Sequence, residues 1–154
     1  MTDTSIRPAM AGDCETLARL HAASFADAWT RRAIADLLAA PWTFGFVTPA
    51  DAEIQGFVLA RAAAGEAEIL TIAVHPDARR QGFARRLMEA TAAEAARRGA
   101  GTLLLEVAVD RAPALGLYGA LGFAGAGRRK AYYARAGGPA ADALILKRDL
   151  PTLP

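Results

Sequence analysis

Ile69-Leu-Thr-Ile-Ala-Val-His-Pro-Asp-Ala-Arg-Arg-Gln-Gly-Phe-Ala-Arg-Arg-Leu-Met88 is the stretch on which the fold turns. Its first six residues are apolar or β-branched and read as the end of a buried strand. His75-Pro76-Asp77 stops that strand, because proline has no N–H for a ladder and restricts the residue before it. From Gly82 the period changes. Phe83, Leu87, Met88 and Thr91 recur on one helical face, and Gly99 is the terminator. The segment is therefore a strand, a loop and a long helix. The loop carries R-x-x-G-x-A at Arg79, Gly82 and Ala84. Free N–H groups at a helix start point outward, and the helix dipole favours an anion there. Gly82 lets the backbone approach that anion, Ala84 keeps the helix close to the sheet, and Arg79, Arg80 and Arg85 add charge for phosphates. It is neither a Walker loop nor the G-x-G-x-x-G of dinucleotide folds. Two readings stand: a plain turn with a solvated arginine face, or an anion cradle. The apolar strand and the His-Pro-Asp turn favour the cradle.

Working outward, Ile6-Arg7-Pro8 is a short strand candidate. Asp13 is placed to cap a helix from about Cys14 to Ala23, and Thr30 to cap a second helix through Ile34, Leu37 and Leu38 that Pro41 ends. Thr43 to Thr48 alternates with Phe44 and Phe46 on one face. It reads as a hairpin with Ile54 to Ala62 across Pro49 and Asp51. Glu66 to Val74 is the strand already met. Thr102 to Val109 is a near-continuous apolar run and predicts a central buried strand. Ala112 to Leu121 is a short helix with Pro113 in its first turn and Gly122 past its end. Gly125 to Tyr133 and Ala141 to Arg148 are final strands. This order predicts an α/β chain with one mixed sheet. A single domain over residues 1–150 and a short tail over 151–154 are expected.

The chain has 154 residues, 53% hydrophobic and 22% charged, the composition of a folded globular protein. A single cysteine, Cys14, cannot form an internal disulfide. With His21 and His75 as the remaining soft ligands, no metal is expected. A net charge of +2 is too weak for nucleic-acid tracking. Met1 to Met10 contains no apolar core, and the alanine-rich stretches are broken by Glu and Arg. No secretory leader, no membrane span and a cytoplasmic protein are expected.

Two residues downstream carry candidate chemistry. Glu106 stands in the apolar run Leu103-Leu-Leu-Glu-Val107. An unpaired carboxylate there is costly to bury, so it faces solvent, pairs with an arginine, or serves as a general base. Tyr118 lies in Leu117-Tyr-Gly-Ala-Leu-Gly-Phe123. It is either a packed core tyrosine or a proton donor, its phenol having a pKa of roughly 10. A group transfer in which the nucleophile must lose a proton and the leaving group must gain one would need both.

The strand ending in Val-His-Pro-Asp, the R-x-x-G-x-A loop and the Leu-Tyr-x-x-Leu-Gly-Phe helix resemble the GNAT acetyltransferase superfamily. Glu66 to Pro76, Leu104-Leu-Glu-Val107, Leu117 to Phe123, Gly127-Arg-Arg-Lys-Ala-Tyr-Tyr133 and the upstream Phe25 to Trp29 are similar to the ribosomal-protein-alanine N-acetyltransferases. The resemblance covers nearly the whole chain. It implies a GNAT fold: one mixed, mostly antiparallel sheet of about six to seven strands flanked by about four helices. It implies acetyl-CoA as cosubstrate. The backbone of Ile72, Ala73 and Val74 would hold the acetyl and pantetheine arm, and Arg79, Arg80, Gln81, Gly82, Phe83, Ala84 and Arg85 the pyrophosphate. Glu106 would accept a proton and Tyr118 donate one. Trp29, Tyr132 and Tyr133 would line a groove for the N-terminus of a protein substrate, in this family a ribosomal protein beginning with alanine. Successive strand residues face opposite ways, so at most one of Tyr132 and Tyr133 should face the groove.

The chain departs from the family at two positions. Arg111 stands where the family has an asparagine that contacts the cofactor, and Ala108 where many members have arginine. Other enzymes of the superfamily act on small amines or internal lysines, and a CoA-binding module without catalysis is a further alternative; Glu106 and Tyr118 together speak against the last. His75 is read as a turn residue, His21 and Cys14 as structural, Trp42 as core or groove, and Arg128-Arg129-Lys130 as a solvated face.

Overall fold

The computed structural model describes residues 5–153, so residues 1–4 of the expected domain and Pro154 of the expected tail lie outside the described residues. In chain order the elements are β1 (Arg7–Pro8), α1 (Cys14–Ser24), α2 (Arg31–Ala39), β2 (Thr43–Thr48), β3 (Gly56–Ala63), β4 (Glu66–Val74), α3 (Phe83–Arg97), β5 (Thr102–Ala108), α4 (Ala112–Ala120), β6 (Ala124–Tyr133) and β7 (Ala141–Asp149). The strands form one seven-stranded sheet in the order β1-β2-β3-β4-β5-β7-β6. Every neighbouring pair is antiparallel except β4 and β5, which are parallel. The mixed, mostly antiparallel α/β architecture expected from the sequence is the one observed.

Local chemistry explains most boundaries. Thr30 caps α2, its Oγ1 accepting the Ala33 N–H at 3.1 Å. The β3–β4 turn passes through Ala64 and Gly65, with φ of 52° and 81°. Two successive positive φ values match the right-handed twist of a hairpin. Helix α3 ends in a Schellman motif: Gly99 takes φ 88°, its N–H donates to Ala96 O, and the Ala100 N–H donates to Ala95 O. One expectation needs correction. Asp13 does not cap α1 with its side chain. It sits in a 3-10 turn, accepts the Met10 N–H at 2.8 Å and binds the Arg7 guanidinium through two hydrogen bonds of 2.9 Å. The arginine comes from β1, and this tertiary ion pair takes the carboxylate away from the helix end.

The sheet separates two apolar layers. On one face Val58, Ala60, Ala67, Ile69, Leu103, Leu105 and Leu146 pack with Leu87, Met88 and Ala95 of α3. On the other, Val47, Phe57, Leu59 and Ala73 pack with Leu17 and Leu20 of α1 and Ile34 of α2. A β-bulge interrupts the β3–β4 register: Leu59 faces Thr71 while Ala60 faces Ile69, so Leu70 is the extra residue. One extra residue reverses the alternation along a strand. Ile69 therefore shares a layer with Ile72 and Val74, three and five residues on, while Leu70 and Ala73 belong to the opposite layer.

Gly45 of β2 marks the tightest packing. A Cβ there would lie 2.6 Å from Leu59 Cδ2 and 2.6 Å from the Val58 carbonyl oxygen, which is backbone and cannot step aside. Gly45→Ala is expected to destabilise the protein by about 1–3 kcal/mol. Urea unfolding should show this as a lower midpoint with an unchanged slope.

Candidate active site

The parallel pair β4–β5 is short. Only Glu66, Ala67 and Glu68 pair with Thr102, Leu103 and Leu104. Beyond that point β3 still holds the outer edge of β4 as far as Val74, and β7 holds the outer edge of β5 as far as Ala108. The inner edges, from Ile69 and from Leu105 onward, therefore part without sheet hydrogen bonds between them. An opening between two strands leaves backbone donors and acceptors aimed into it, and these need partners. Ile72, Ala73 and Val74 lie along the β4 side of this opening.

The loop that continues β4 is built for close approach. His75 is a turn residue, as expected: its Nδ1 accepts the Asp77 N–H at 3.1 Å. Arg79 Nε donates to the Val74 carbonyl at 3.3 Å, which ties the loop back to the strand. Arg80 takes φ 65° and Gly82 φ 81°. The left-handed value costs a non-glycine residue about 1–2 kcal/mol, so the turn is strained at Arg80. Gly82 caps α3 without a side-chain bond to the first turn. The first helical bond runs from the Arg86 N–H to the Gly82 carbonyl, so the N–H groups of Phe83, Ala84 and Arg85 have no helical acceptor. A Cβ on Gly82 would meet only the Arg86 guanidinium carbon, at 4.0 Å. Arg79, Arg80 and Arg85 are exposed, as is Gln81, and no carboxylate among the described residues pairs with these three arginines. Open space, unfilled N–H groups and uncompensated positive charge together suit a diphosphate.

Across the opening, Glu106 of β5 points away from the α3 layer, whose inward residues are Leu105 and Val107. Its carboxylate is 26% exposed, and Oε1 lies 3.1 Å from Arg129 Nε of β6. Of the three readings open for Glu106, the pairing with an arginine is thus present in this structure. Tyr118 is positioned by the end of its own helix. Gly122 has φ 88°, its N–H donates to Gly119 O, and the Phe123 N–H donates to Tyr118 O at 3.0 Å. This is again a Schellman motif, and the apolar contact that accompanies it is Tyr118 against Phe123, ring centroids 6.0 Å apart. Leu-Gly-Phe after the tyrosine is therefore the device that turns its ring inward. Burial raises the Tyr118 phenol pKa; Arg111 opposes the rise and Tyr133 adds to it. Burial likewise raises Tyr133, with Glu106 and Tyr132 adding and Arg111 and Arg135 opposing. Tyr133 is thus the group that feels both Glu106 and Arg111, and it in turn acts on Tyr118.

Tyr133 is half-buried and Tyr132 exposed, with Tyr132 carrying the Arg129 guanidinium 5.3 Å from its ring centre. Trp29 is in the α1–α2 connector, stacked on His21 at 4.8 Å. Trp42 is 52% exposed and so does not belong to the core. Sequence reasoning missed the polar frame of the site. Asp110 binds Arg135 through hydrogen bonds of 2.8 and 2.9 Å, and Asp142 accepts the Ala131 N–H at 2.7 Å and Arg128 Nε at 2.6 Å. These hold the bulged end of β6, where Ala131 has φ 50°. Alternation along β6 puts Arg129 and Gly127 on one face, and that signal could have separated Arg129 from its charged neighbours. Among the described residues no group of three or more His, Cys, Asp or Glu could hold a metal ion, and no helix is long and apolar enough to cross a membrane.

His21 ties the α1–α2 connector down. It is 3% exposed, packs on Phe25 and Trp29, and its Nδ1 accepts the Trp29 N–H at 3.0 Å. Burial lowers its pKa, with Asp27 opposing. A depressed histidine contributes stability that is present above its unfolded value of about 6.5 and is lost as pH falls toward the folded value. The urea midpoint is expected to drop as pH is lowered below about 6.5. His21→Gln, which keeps an acceptor but does not titrate, should remove that part of the drop.

Comparison with known proteins follows the same lines. The family model described as the acetyltransferase (GNAT) family matches residues 14–123. The [ribosomal protein bS18]-alanine N-acetyltransferase of Escherichia coli K12 is 39% identical over 94 residues, a match spanning 61% of this chain and 63% of that protein. A putative enzyme of the same description from Bacillus subtilis is 30% identical over 146 residues, covering 94% of this chain and 95% of the relative. The crystal structure of the Escherichia coli ribosomal-protein-S18-alanine N-acetyltransferase superposes with a TM-score of 0.88 at 29% identity, covering 97% of this chain and 95% of that one. A NatC complex bound to Gag peptide and CoA shares the fold, with a TM-score of 0.81 at 22% identity over 95% of this chain and 98% of that one. With the family model matched over residues 14–123 and the Bacillus subtilis relative aligned over nearly the whole length, this chain belongs to the acetyltransferase (GNAT) family.

Proposed function

We propose that this protein transfers the acetyl group of acetyl-CoA directly to the α-amine of a protein N-terminus, the N-terminal alanine of a small-subunit ribosomal protein, in the cytoplasm. The observation that carries the reading is the parting of β4 from β5, with Glu106 on the strand that parts and Tyr118 on the helix that follows it. Similarity to the Escherichia coli and Bacillus subtilis relatives supports the choice of acceptor.

In this reading the uncapped N–H groups of Phe83, Ala84 and Arg85, with Arg79, Arg80 and Gln81, hold the pyrophosphate. The free edge of β4 from Ile72 to Val74 takes the pantetheine arm, and its N–H groups are available to the oxyanion that forms at the acetyl carbon. Arg111, exposed at the start of α4, reaches the cofactor in place of the family's asparagine. The α-ammonium, with a pKa of roughly 8, loses a proton to Glu106 directly or through one water. The free amine attacks the thioester carbonyl, the C–N bond forms and the C–S bond breaks, and the second proton, carried by the nitrogen once it has attacked, leaves through water and restores the proton that Tyr118 gives up. The departing sulfur takes its proton from Tyr118. A phenol kept neutral by burial holds that proton until a thiolate appears. Tyr133 and Trp29 flank the entering chain.

Three outcomes are expected. Acetyl-CoA mixed with peptides beginning Ala, Ser or Met should release free thiol, fastest with Ala; absence of turnover on all three would refute the reading. Glu106→Gln should lower kcat/KM by about 10²–10⁴-fold near neutral pH and by less at high pH, where the amine is already free. Gly82→Val, forced to the left-handed φ beside the helix start, should raise the KM for acetyl-CoA at least tenfold while the KM for peptide is unchanged.

A further inference from the structure

We infer that Arg129 is a displaceable latch on Glu106 that selects peptide amines over simple amines; the inference rests on the acceptor proposed above. Arg129 is the ion-pair partner of Glu106 among the described residues, at 3.1 Å through Nε. The registers show how it gets there. Arg129 faces Ala143 of β7, Ala143 faces Ala108 of β5, and Glu106 is two residues from Ala108 on the same face. Two alanines in this row leave room for the long arginine side chain to cross the middle strand. Helices α1 and α2 pack on β2 and β4 of this side of the sheet, and Arg129 is 53% exposed.

A guanidinium cannot give up its proton, so Arg129 cannot relay one to or from Glu106. While it occupies Oε1, that oxygen is closed to an ammonium. Substrate entry therefore exchanges one cation for another, and the carboxylate is never left unpaired. The half-exposed pair is weakly held, and releasing Oε1 need not cost the arginine its other contact: in the paired state its guanidinium carbon lies 5.3 Å from the centre of the Tyr132 ring, which is 51% exposed. Held there, its N–H donors are freed for the acceptor. In a peptide the carbon that bears the α-amine is bonded directly to a carbonyl carbon, whose oxygen can accept from those donors; a simple amine has no such acceptor. A peptide compensates the arginine it displaces, and a simple amine does not.

The test compares wild type, Arg129→Ala and Arg129→Lys on alaninamide and on isopropylamine, which has the same branched carbon but no carbonyl. Acetyl-CoA affinity by calorimetry serves as the check on folding. For Arg129→Ala, kcat/KM for alaninamide should fall about tenfold through KM, the size expected for one charged hydrogen bond. For isopropylamine it should stay level or rise, since the base is freed. Arg129→Lys should recover part of the alaninamide loss. Equal loss on both amines, or no change on either, overturns the latch. An independent reading needs no turnover: the Arg129 Nε–H resonance, assigned by its absence in Arg129→Lys, should shift in Glu106→Gln. An unchanged resonance also overturns it. Failure of wild type on every α-amine would instead refute the proposed acceptor, which keeps the two failures apart.

Discussion

A parallel strand pair that keeps its hydrogen bonds over three residues and then separates is the constraint behind the rest of this molecule. Parallel strands are normally buried and fully laddered. Here each of the two is secured on its outer side only, β4 by the β3 hairpin and β5 by the antiparallel β7. The antiparallel ladders stiffen both strands enough for their inner edges to stay apart. Loop 75–82 and helix α3 follow one edge, and Arg111 and α4 follow the other. The bulge at Leu70 belongs to the same arrangement. It turns Ile72 and Val74 toward the α3 layer and thereby fixes how the strand enters the arginine-rich loop.

The polar residues around the opening differ in how they are held. Tyr118 depends on a short local motif, a helix end with a left-handed glycine and an aromatic stop. Glu106 depends on the strand that carries it. The β6 end depends on two carboxylates, Asp110 and Asp142, which hold Arg135, Arg128 and the Ala131 N–H. Burial keeps the Tyr118 phenol protonated, and the Arg129–Glu106 pair keeps charge balanced on the open face. A buried phenol and a partly exposed, arginine-paired carboxylate are thus held in contrasting surroundings.

Features set by neighbours in sequence were legible before the structure: the Thr30 cap, the glycine ends of α3 and α4, the hairpin of β2 and β3, and the strand–loop–helix at residues 69–88. Features set by tertiary partners were not. Asp13 looked like a cap because Arg7 could not be seen beside it. Arg129 looked like one cation in a solvated run because its partner lies two strands away, and the order β5-β7-β6 reverses the chain order of the last strands. The stacking of Trp29 on His21 depends on how α1 turns into the connector, which no local pattern shows. The bulge at Leu70 left no mark in a run of apolar and β-branched residues.

The last-placed strand of the sheet is almost wholly solvent-facing: from Ala124 to Tyr132 every residue of β6 is exposed. Such positions tolerate replacement with little loss of folding free energy, usually within about 0.5 kcal/mol. Apart from Arg128 and Arg129 with their ion pairs, this edge can therefore drift in sequence while the apolar layers on the two faces of the sheet stay constant. A molecule arranged this way can vary one rim over generations without relearning how to fold.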